Sequence, residues 1–134
     1  MNEKGLEESI LKKYKHIAVV GISNKQDRDS YGVSKYLVDH GYNVIPINPT
    51  FETWEGLKSY PDLVSASKEH NIEVVDIFRK PDAVLPVVEE AIKVKPEAIW
   101  MQLGVINQEA AELAERNNIK VIMDKCIMVE HKKL

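Results

Sequence analysis

The sequence predicts a single α/β domain with three layers: an open, mostly parallel sheet of five or six strands, and helices on both faces. Short apolar segments alternate with amphipathic segments along the 134 residues, which indicates parallel strands joined by right-handed crossovers. The first apolar segment, 17–22, has no polar interruption, and this is typical of a strand that is covered on both faces. No repeat, low-complexity tract or linker divides the chain, so we expect residues 1–134 to form one domain.

The strands are predicted where a short apolar run lies between turn-forming residues. Pro46 lies inside the second run, which favours either a position for that strand near the edge of the sheet or an irregularity in its pairing. The irregular stretch that follows it is predicted to contain a further short strand at 57–60. The predicted main strands cover 17–22, 43–47, 72–78, 98–101 and 121–124.

The helices are predicted from apolar residues at helical spacing and from residues that begin or end helices. Asp62 and Asn107 are expected to act as N-caps, and Ser30 is expected either to cap the second helix or to contact a ligand. Gly41 is expected to follow the end of the second helix. Pro81 suits a helix start, although Pro86 lies inside the same pattern and would place the true start later. The predicted helices cover 6–14, the segment from Ser30 to Gly41, 63–69, the segment after Pro81, 109–117 and the tail 127–134.

The composition argues against several classes of function. A net charge of -3 gives no support for nucleic acid or an anionic membrane as the main partner. Cys126 is the single cysteine, which excludes an internal disulfide and a cysteine-based metal cluster, and we expect a reducing, cytoplasmic location. Residues 1–8 lack the apolar core of a signal peptide, no apolar run is long enough to span a bilayer, and the histidines have no metal-ligand spacing.

Candidate ligand-binding residues follow the predicted strands, because open parallel sheets bind ligands beyond the carboxyl ends of their strands. These positions are polar and locally basic, which suits a ligand that carries several phosphates. The candidates are Gly21, Ser23, Asn24, Lys25, Arg28, Ser30, Tyr31, Asn48, Pro49, Phe78, Arg79, Gln102, Gly104, Lys125 and Cys126.

The loop after the first strand is the most informative of these positions. Gly21 permits a tight turn and a close approach of a ligand to the backbone, and Ser23 offers a hydroxyl group. Arg28 either binds a phosphate or pairs with a neighbouring aspartate. The spacing matches neither the Gly-x-Gly-x-x-Gly pattern nor a Walker A loop.

Several candidates have two interpretations. Dinucleotide-binding domains usually carry an acid near the end of the second strand, so Asn48 and Pro49 argue against NAD, although they also fit a plain turn. Phe78 fits the core or a stacked ligand, and Gln102 fits a ligand contact or a bond to a neighbouring loop. A lone cysteine near a strand end, such as Cys126, is more often a small packed residue than a nucleophile.

The chain resembles the small stand-alone CoA-binding proteins, a family related to the CoA-binding domain of succinyl-CoA synthetase. The resemblance runs from about residue 16 to residue 134. The segments that carry it are AVVGIS at 18–23, RDSYGV at 28–33, YL at 36–37, GYNVIPINP at 41–49, VVDIFR at 74–79, IWMQLGV at 99–105, MDKC at 123–126 and EH at 130–131.

The resemblance implies a Rossmann-like fold that binds coenzyme A, or an acyl-CoA, at the carboxyl ends of the parallel strands, without evident catalysis of its own. It implies that the loop 23–30 holds the pyrophosphate, and that the candidates at the later strand ends face the nucleotide or the pantetheine arm. Relatives often have a proline where this chain has Lys25 and Gln26, and an arginine where it has Lys125.

Two alternatives are a small CoA- or nucleotide-dependent enzyme that uses Cys126 or His131, and an NAD-binding module. We find no base and nucleophile at a recognisable spacing, which argues against an enzyme. The expected partner is a small molecule, CoA, with a homodimer or a partner subunit left open.

Overall fold

The computed structural model describes residues 5–134. The prediction that residues 1–8 are no signal peptide falls partly on residues 1–4, which lie outside the described residues. In chain order the elements are α1 (Leu6–Lys13), β1 (His16–Val20), α2 (Asp29–Asp39), β2 (Asn43–Ile47), β3 (Thr53–Trp54), β4 (Leu57–Lys58), α3 (Leu63–Ser67), β5 (Val74–Ile77), a 3-10 turn (Pro81–Ala83), α4 (Val84–Val94), β6 (Ala98–Met101), α5 (Gln108–Arg116), β7 (Lys120–Ile122) and α6 (Ile127–Lys132). The order of elements confirms the α/β prediction.

The main sheet has five parallel strands in the order β2-β1-β5-β6-β7. The strands β3 and β4 form a separate antiparallel hairpin in the stretch where one short strand was predicted. From β1 the chain passes first to β2 on one side and later to β5 on the other. The strand order therefore switches between β1 and β5, the position at which open sheets of this kind bind ligands.

Helices cover both faces of the sheet, as the unbroken apolar strands predicted. Leu63 of α3 and Val88 of α4 are buried against one face, which α5 also covers. Leu37 of α2 and Ile127 of α6 are buried against the other face, which α1 also covers. Because α2 and α6 lie on the same face, the loops that lead into them open on the same side of the sheet.

The strand β2 lies at the edge of the sheet, as Pro46 predicted. Beyond it lies Tyr60, whose backbone N–H donates to the Pro46 carbonyl at 3.0 Å and whose carbonyl accepts from the Asn48 N–H at 2.9 Å. A single residue thus covers part of the outer side of β2.

The helix starts confirm two predicted caps and correct a third. The side chains of Asp62 and Asn107 accept hydrogen bonds from backbone N–H groups in the first turns of α3 and α5. The prediction of a cap at Ser30 is wrong, because α2 begins at Asp29 with Arg28 as its N-cap. Ser30 is the second helical residue, and its hydroxyl has another partner, described below.

Candidate ligand-binding site

Gly21 directly follows β1 at the point where the strand order switches. Its φ of 85° lies in the left-handed region, and a Cβ at this position would lie 2.1 Å from the Phe78 carbonyl oxygen. No side chain can occupy that space without moving the backbone of the neighbouring strand end. Glycine here lets the ends of β1 and β5 approach each other.

The first loop, residues 21–28, is shaped by two serine side chains. The hydroxyl of Ser30, which is 6% exposed, accepts a hydrogen bond from the Ser23 backbone N–H at 3.0 Å. The hydroxyl of Ser23 accepts from the Lys25 backbone N–H, also at 3.0 Å. Both serines therefore fix the backbone of the loop, which explains why Ser30 is buried without capping α2.

The hairpin β3–β4 packs against the first loop. The indole N–H of Trp54 donates to the Ser23 carbonyl at 2.9 Å, and the rings of Tyr31 and Trp54 lie 5.3 Å apart. The Tyr31 hydroxyl donates to Glu55 at 2.7 Å, and this hydrogen bond raises the pKa of Tyr31. Tyr31 thus holds the hairpin to α2.

Asn48 follows β2 and stabilises the turn there. Its side-chain nitrogen donates to the Ile22 carbonyl at 2.9 Å. Its side-chain oxygen accepts from the backbone N–H and the hydroxyl of Thr50, at 2.8 and 2.6 Å. The turn interpretation of Asn48 is correct, and the side chain also joins the end of β2 to the first loop.

A polar cavity of about 540 Å³ opens between the first loop and the turn after β2. It holds two cationic side chains, Lys25 and Arg28. Among residues 5–134, the Arg28 guanidinium makes no ion pair or hydrogen bond, so the predicted alternative of a pair with a neighbouring aspartate does not form. The lining residues are Gly21, Ile22, Ser23, Asn24, Lys25, Asp27, Arg28, Asp29, Ser30, Asn48, Thr50, Phe51 and Phe78.

A second, more apolar cavity of about 550 Å³ lies between the ends of β5 and β6 and the helices α2 and α6. We call it the apolar cavity. It shares Asp29 and Phe78 with the polar cavity, so the two form neighbouring parts of one surface. Its lining residues are Asp29, Val33, Phe78, Arg79, Lys80, Gln102, Leu103, Gly104, Val105, Cys126, Met128 and Val129.

A buried carboxyl group lies beneath the apolar cavity. Asp76 of β5 is fully buried, and its Oδ1 accepts a hydrogen bond from the Gln102 amide at 2.6 Å. The Oδ2 atom has no hydrogen-bond partner within residues 5–134. Burial raises the pKa of Asp76 from 3.8 to about 7, although the bond from Gln102 acts in the opposite direction. Gln102 therefore bonds within the protein, but to the strand β5 rather than to a neighbouring loop as one of its two interpretations predicted.

The last loop, residues 123–125, has its polar groups bound within the protein. Lys125 pairs with Glu7 of α1 at 2.5 Å, and this hydrogen bond raises the pKa of Lys125. Asp124, with a φ of 64°, accepts from the Gly104 N–H at 2.7 Å. The Lys125 ammonium lines neither of the two cavities.

His131 was a candidate reactive group, and it lies in a cluster of rings on α2 and α6. Its Nδ1 is 2.7 Å from the Tyr36 hydroxyl, and its ring contacts those of His40 and Tyr42. Burial lowers the pKa of His131, with further contributions from the charges of His40 and Lys15. His131 does not line the cavity that contains Cys126.

The structure groups most of the predicted site residues around the two cavities. Of the fifteen, those that line neither are Tyr31, Pro49 and Lys125. The prediction did not include Phe51 or the α6 residues Met128 and Val129, which carry no polar signal in the sequence. It also omitted Asp76, although a single acid inside an apolar strand is an unusual feature that could have been noticed.

Two negative findings apply to the described residues. Within residues 5–134, no helix is long and apolar enough to cross a membrane. The same residues contain no cluster of three or more histidine, cysteine or acidic side chains suited to a metal ion.

Together, the parallel sheet, the switch in strand order and the polar loop after β1 define a Rossmann-like ligand-binding domain. The family model described as "CoA binding domain" matches residues 15–132. The chain belongs to this CoA-binding domain family.

The chain is also similar to individual proteins over most of its length. The uncharacterized protein YneT of Bacillus subtilis is 40% identical over 124 residues, covering 91% of this chain and 89% of YneT. A hypothetical protein from Pyrococcus horikoshii OT3 is 40% identical, with a TM-score of 0.90 over 100% of this chain and 99% of that one. The ADP-forming acetate–CoA ligase of Methanocaldococcus jannaschii is 28% identical over 84% of this chain, but the match covers only 17% of the ligase.

Proposed function

We propose that this protein binds coenzyme A across the two cavities. The phosphates lie at the first loop, and the pantetheine arm passes Phe78 into the apolar cavity. The observation that carries the proposal is the pair of adjoining cavities, one with Lys25 and Arg28 and the other lined mainly by apolar side chains. CoA has the same division into an anionic nucleotide and a less polar arm.

The first loop supplies the groups that a phosphate needs. Arg28 has no partner among the described residues and can form a bidentate, charge-assisted pair with a phosphate. The helix α2 begins at Asp29, and first-turn N–H groups of a helix attract anions. Family membership and the similarity to an acetate–CoA ligase support CoA as the ligand.

The alternatives have less support. An NAD-binding module would carry an acid where this chain has Asn48, whose amide groups already bond to Ile22 and Thr50. An enzyme that paired Cys126 with His131 would need the two side by side, whereas His131 bonds to Tyr36. A homodimer or a partner subunit stays a prediction.

Thermal unfolding with added ligands tests the proposal. A ligand at about 100 times its dissociation constant adds roughly 2.7 kcal/mol to the free energy of unfolding. We expect an increase of this size in the free energy of unfolding with CoA. The increase should be smaller with dephospho-CoA or ADP, and NAD should give none. Stabilisation by NAD but not by CoA would contradict the proposal.

The variant Arg28→Ala tests the location of the phosphates. Losing one charge-assisted contact should weaken CoA binding about tenfold in calorimetry. The matched control is Arg116→Ala, which removes an arginine from α5 on the opposite face of the sheet. Equal affinities for the two variants would place the phosphates elsewhere.

A further inference from the structure

The apolar cavity has a wall of apolar side chains, two of which are exposed to solvent. Leu103 is 71% exposed and Val129 is 45% exposed, and both line the cavity together with Val33, Val105 and Met128. We propose that this wall binds the apolar acyl group of an acyl-CoA thioester. The physiological ligand is then an acyl-CoA with a hydrocarbon chain rather than free CoA. This inference rests on the CoA binding proposed above.

The concave arrangement of these side chains points to a small ligand. Single exposed apolar residues are normal on a protein surface, but two that line one concave surface together with buried apolar neighbours favour a binding site. Met128 adds a flexible, polarizable side chain that can adapt to chains of different shape. A hydrocarbon chain in this cavity would remove Leu103 and Val129 from water.

The Gln102 side chain, a polar group that lines the cavity, is already paired with protein atoms. The Gln102 side chain, which is 4% exposed, donates to Asp76 and accepts from the Ile127 N–H at 3.4 Å. An acyl group that carried its own polar or charged end would therefore find no free hydrogen-bonding group on the Gln102 amide nitrogen that binds Asp76 or on the oxygen that binds Ile127. Burying such a group without a partner is unfavourable.

Two of the three charged residues of the cavity lie toward the nucleotide side. Asp29 also lines the polar cavity, and the Arg79 guanidinium lies 2.9 Å from the position that a Cβ on Gly21 would take. The apolar wall comes from other elements, with Leu103 in the loop after β6 and Met128 and Val129 on α6. An acyl chain at the far end of pantetheine would meet this wall.

Calorimetric titration with CoA, acetyl-CoA, butyryl-CoA and hexanoyl-CoA tests the inference on the whole protein. Each methylene removed fully from water strengthens binding about fourfold. With partial burial, we expect butyryl-CoA to bind about five- to tenfold more tightly than acetyl-CoA, and hexanoyl-CoA to bind more tightly again.

The variant Leu103→Ser locates the chain. It should reduce the ratio of hexanoyl-CoA to acetyl-CoA affinity at least about threefold, since a large part of the wall is lost. A general loss of CoA affinity cancels in this ratio. The matched control is Ile106→Ser, because Ile106 is 51% exposed in the same loop but does not line the cavity. The control should leave the ratio unchanged.

The outcomes separate this inference from the proposed function. If CoA binds but affinity is flat or falls with chain length, the acyl site is refuted and the wall serves another partner, such as a protein surface. An equal effect of Leu103→Ser and Ile106→Ser also refutes it. If neither CoA nor any thioester binds, the proposed function itself fails.

Discussion

The loops after β1 and after β7 lie at the same edge of the sheet, and both lead into helices on the same face. Each contains a residue with positive φ, Gly21 in the first loop and Asp124 in the last. They differ in what their charged groups do. The Arg28 side chain has no partner among the described residues, whereas Lys125 is bound to Glu7.

This difference teaches where a ligand can find free binding groups. The first loop uses its serines to fix the backbone and leaves its cations in a cavity. The last loop uses its charged groups to hold α1 and the turn at Gly104, and it leaves the apolar residues of α6 to line the neighbouring cavity. The carboxyl ends of the strands thus carry a polar cavity at the first loop and an apolar cavity beside the last loop.

The largest expected effect comes from Gly21→Ala, which breaks the first loop. The new Cβ would clash with the Phe78 carbonyl and strain a left-handed backbone, so we expect the free energy of unfolding to fall by about 4 kcal/mol and CoA binding to be lost. Denaturant unfolding measures the first effect. Gly41→Ala is the matched control, because its φ is 88° and its Cβ would meet nothing within 4 Å. It should cost only about 1–2 kcal/mol, and equal losses would show that the approach of β1 to β5 is unimportant.

The next largest effect is a pH dependence of the free energy of unfolding, which comes from Asp76 beneath the apolar cavity. Its pKa of about 7 lies above the ordinary 3.8, so the folded protein holds the proton more tightly than the unfolded chain. This contribution to stability is full below the unfolded pKa and is lost as the pH rises through about 7. Between about pH 4.5 and about pH 7.5 the loss amounts to about 3 kcal/mol.

The variant Asp76→Asn tests this pH dependence. The asparagine cannot ionise. As the pH rises over that range, the free energy of unfolding of the variant should therefore improve by the same amount relative to that of the natural protein, as measured by denaturant unfolding. A constant difference between the two proteins across the range would contradict the raised pKa. Asp82→Asn serves as a control, because Asp82 lies in the 3-10 turn and no residue of that turn is buried.

The smallest effect is expected from Lys125→Met, which tests whether the last loop takes part in binding. The ion pair with Glu7 is partly exposed, so its loss should cost about 0.5–1 kcal/mol. CoA affinity, measured by calorimetry, should change less than about twofold. Glu7→Gln should lose a similar stability. A tenfold loss of CoA affinity with Lys125→Met alone would mean that Lys125 leaves Glu7 to bind the ligand.

The sequence predicted the elements well because their signals are local. The apolar run before Gly21, the caps at Asp62 and Asn107, and Pro46 at the edge strand all depend on neighbouring residues. Boundaries shifted by one or two residues, as for β5, which is shorter at both ends than the predicted 72–78. Such ends depend on pairing with other strands.

The candidate site was less predictable because its polar groups have partners far away in the chain. Lys125 pairs with a residue at position 7, and Tyr31 bonds to Glu55 of a hairpin that the sequence only partly indicated. Ser30 has the character of an N-cap, yet its hydroxyl holds Ser23. Residue type shows what a side chain can bind, and the fold decides which partner it meets.

The covering of β2 by Tyr60 also bears on how the protein behaves at high concentration. An uncovered edge strand offers a row of N–H and C=O groups on which a second chain can add a strand, and this is a route to aggregates. Here Pro46 has no N–H to offer, and its carbonyl is already bound to Tyr60. This part of the edge is therefore closed to the addition of a strand, which disfavours edge-to-edge assembly of the concentrated protein at β2.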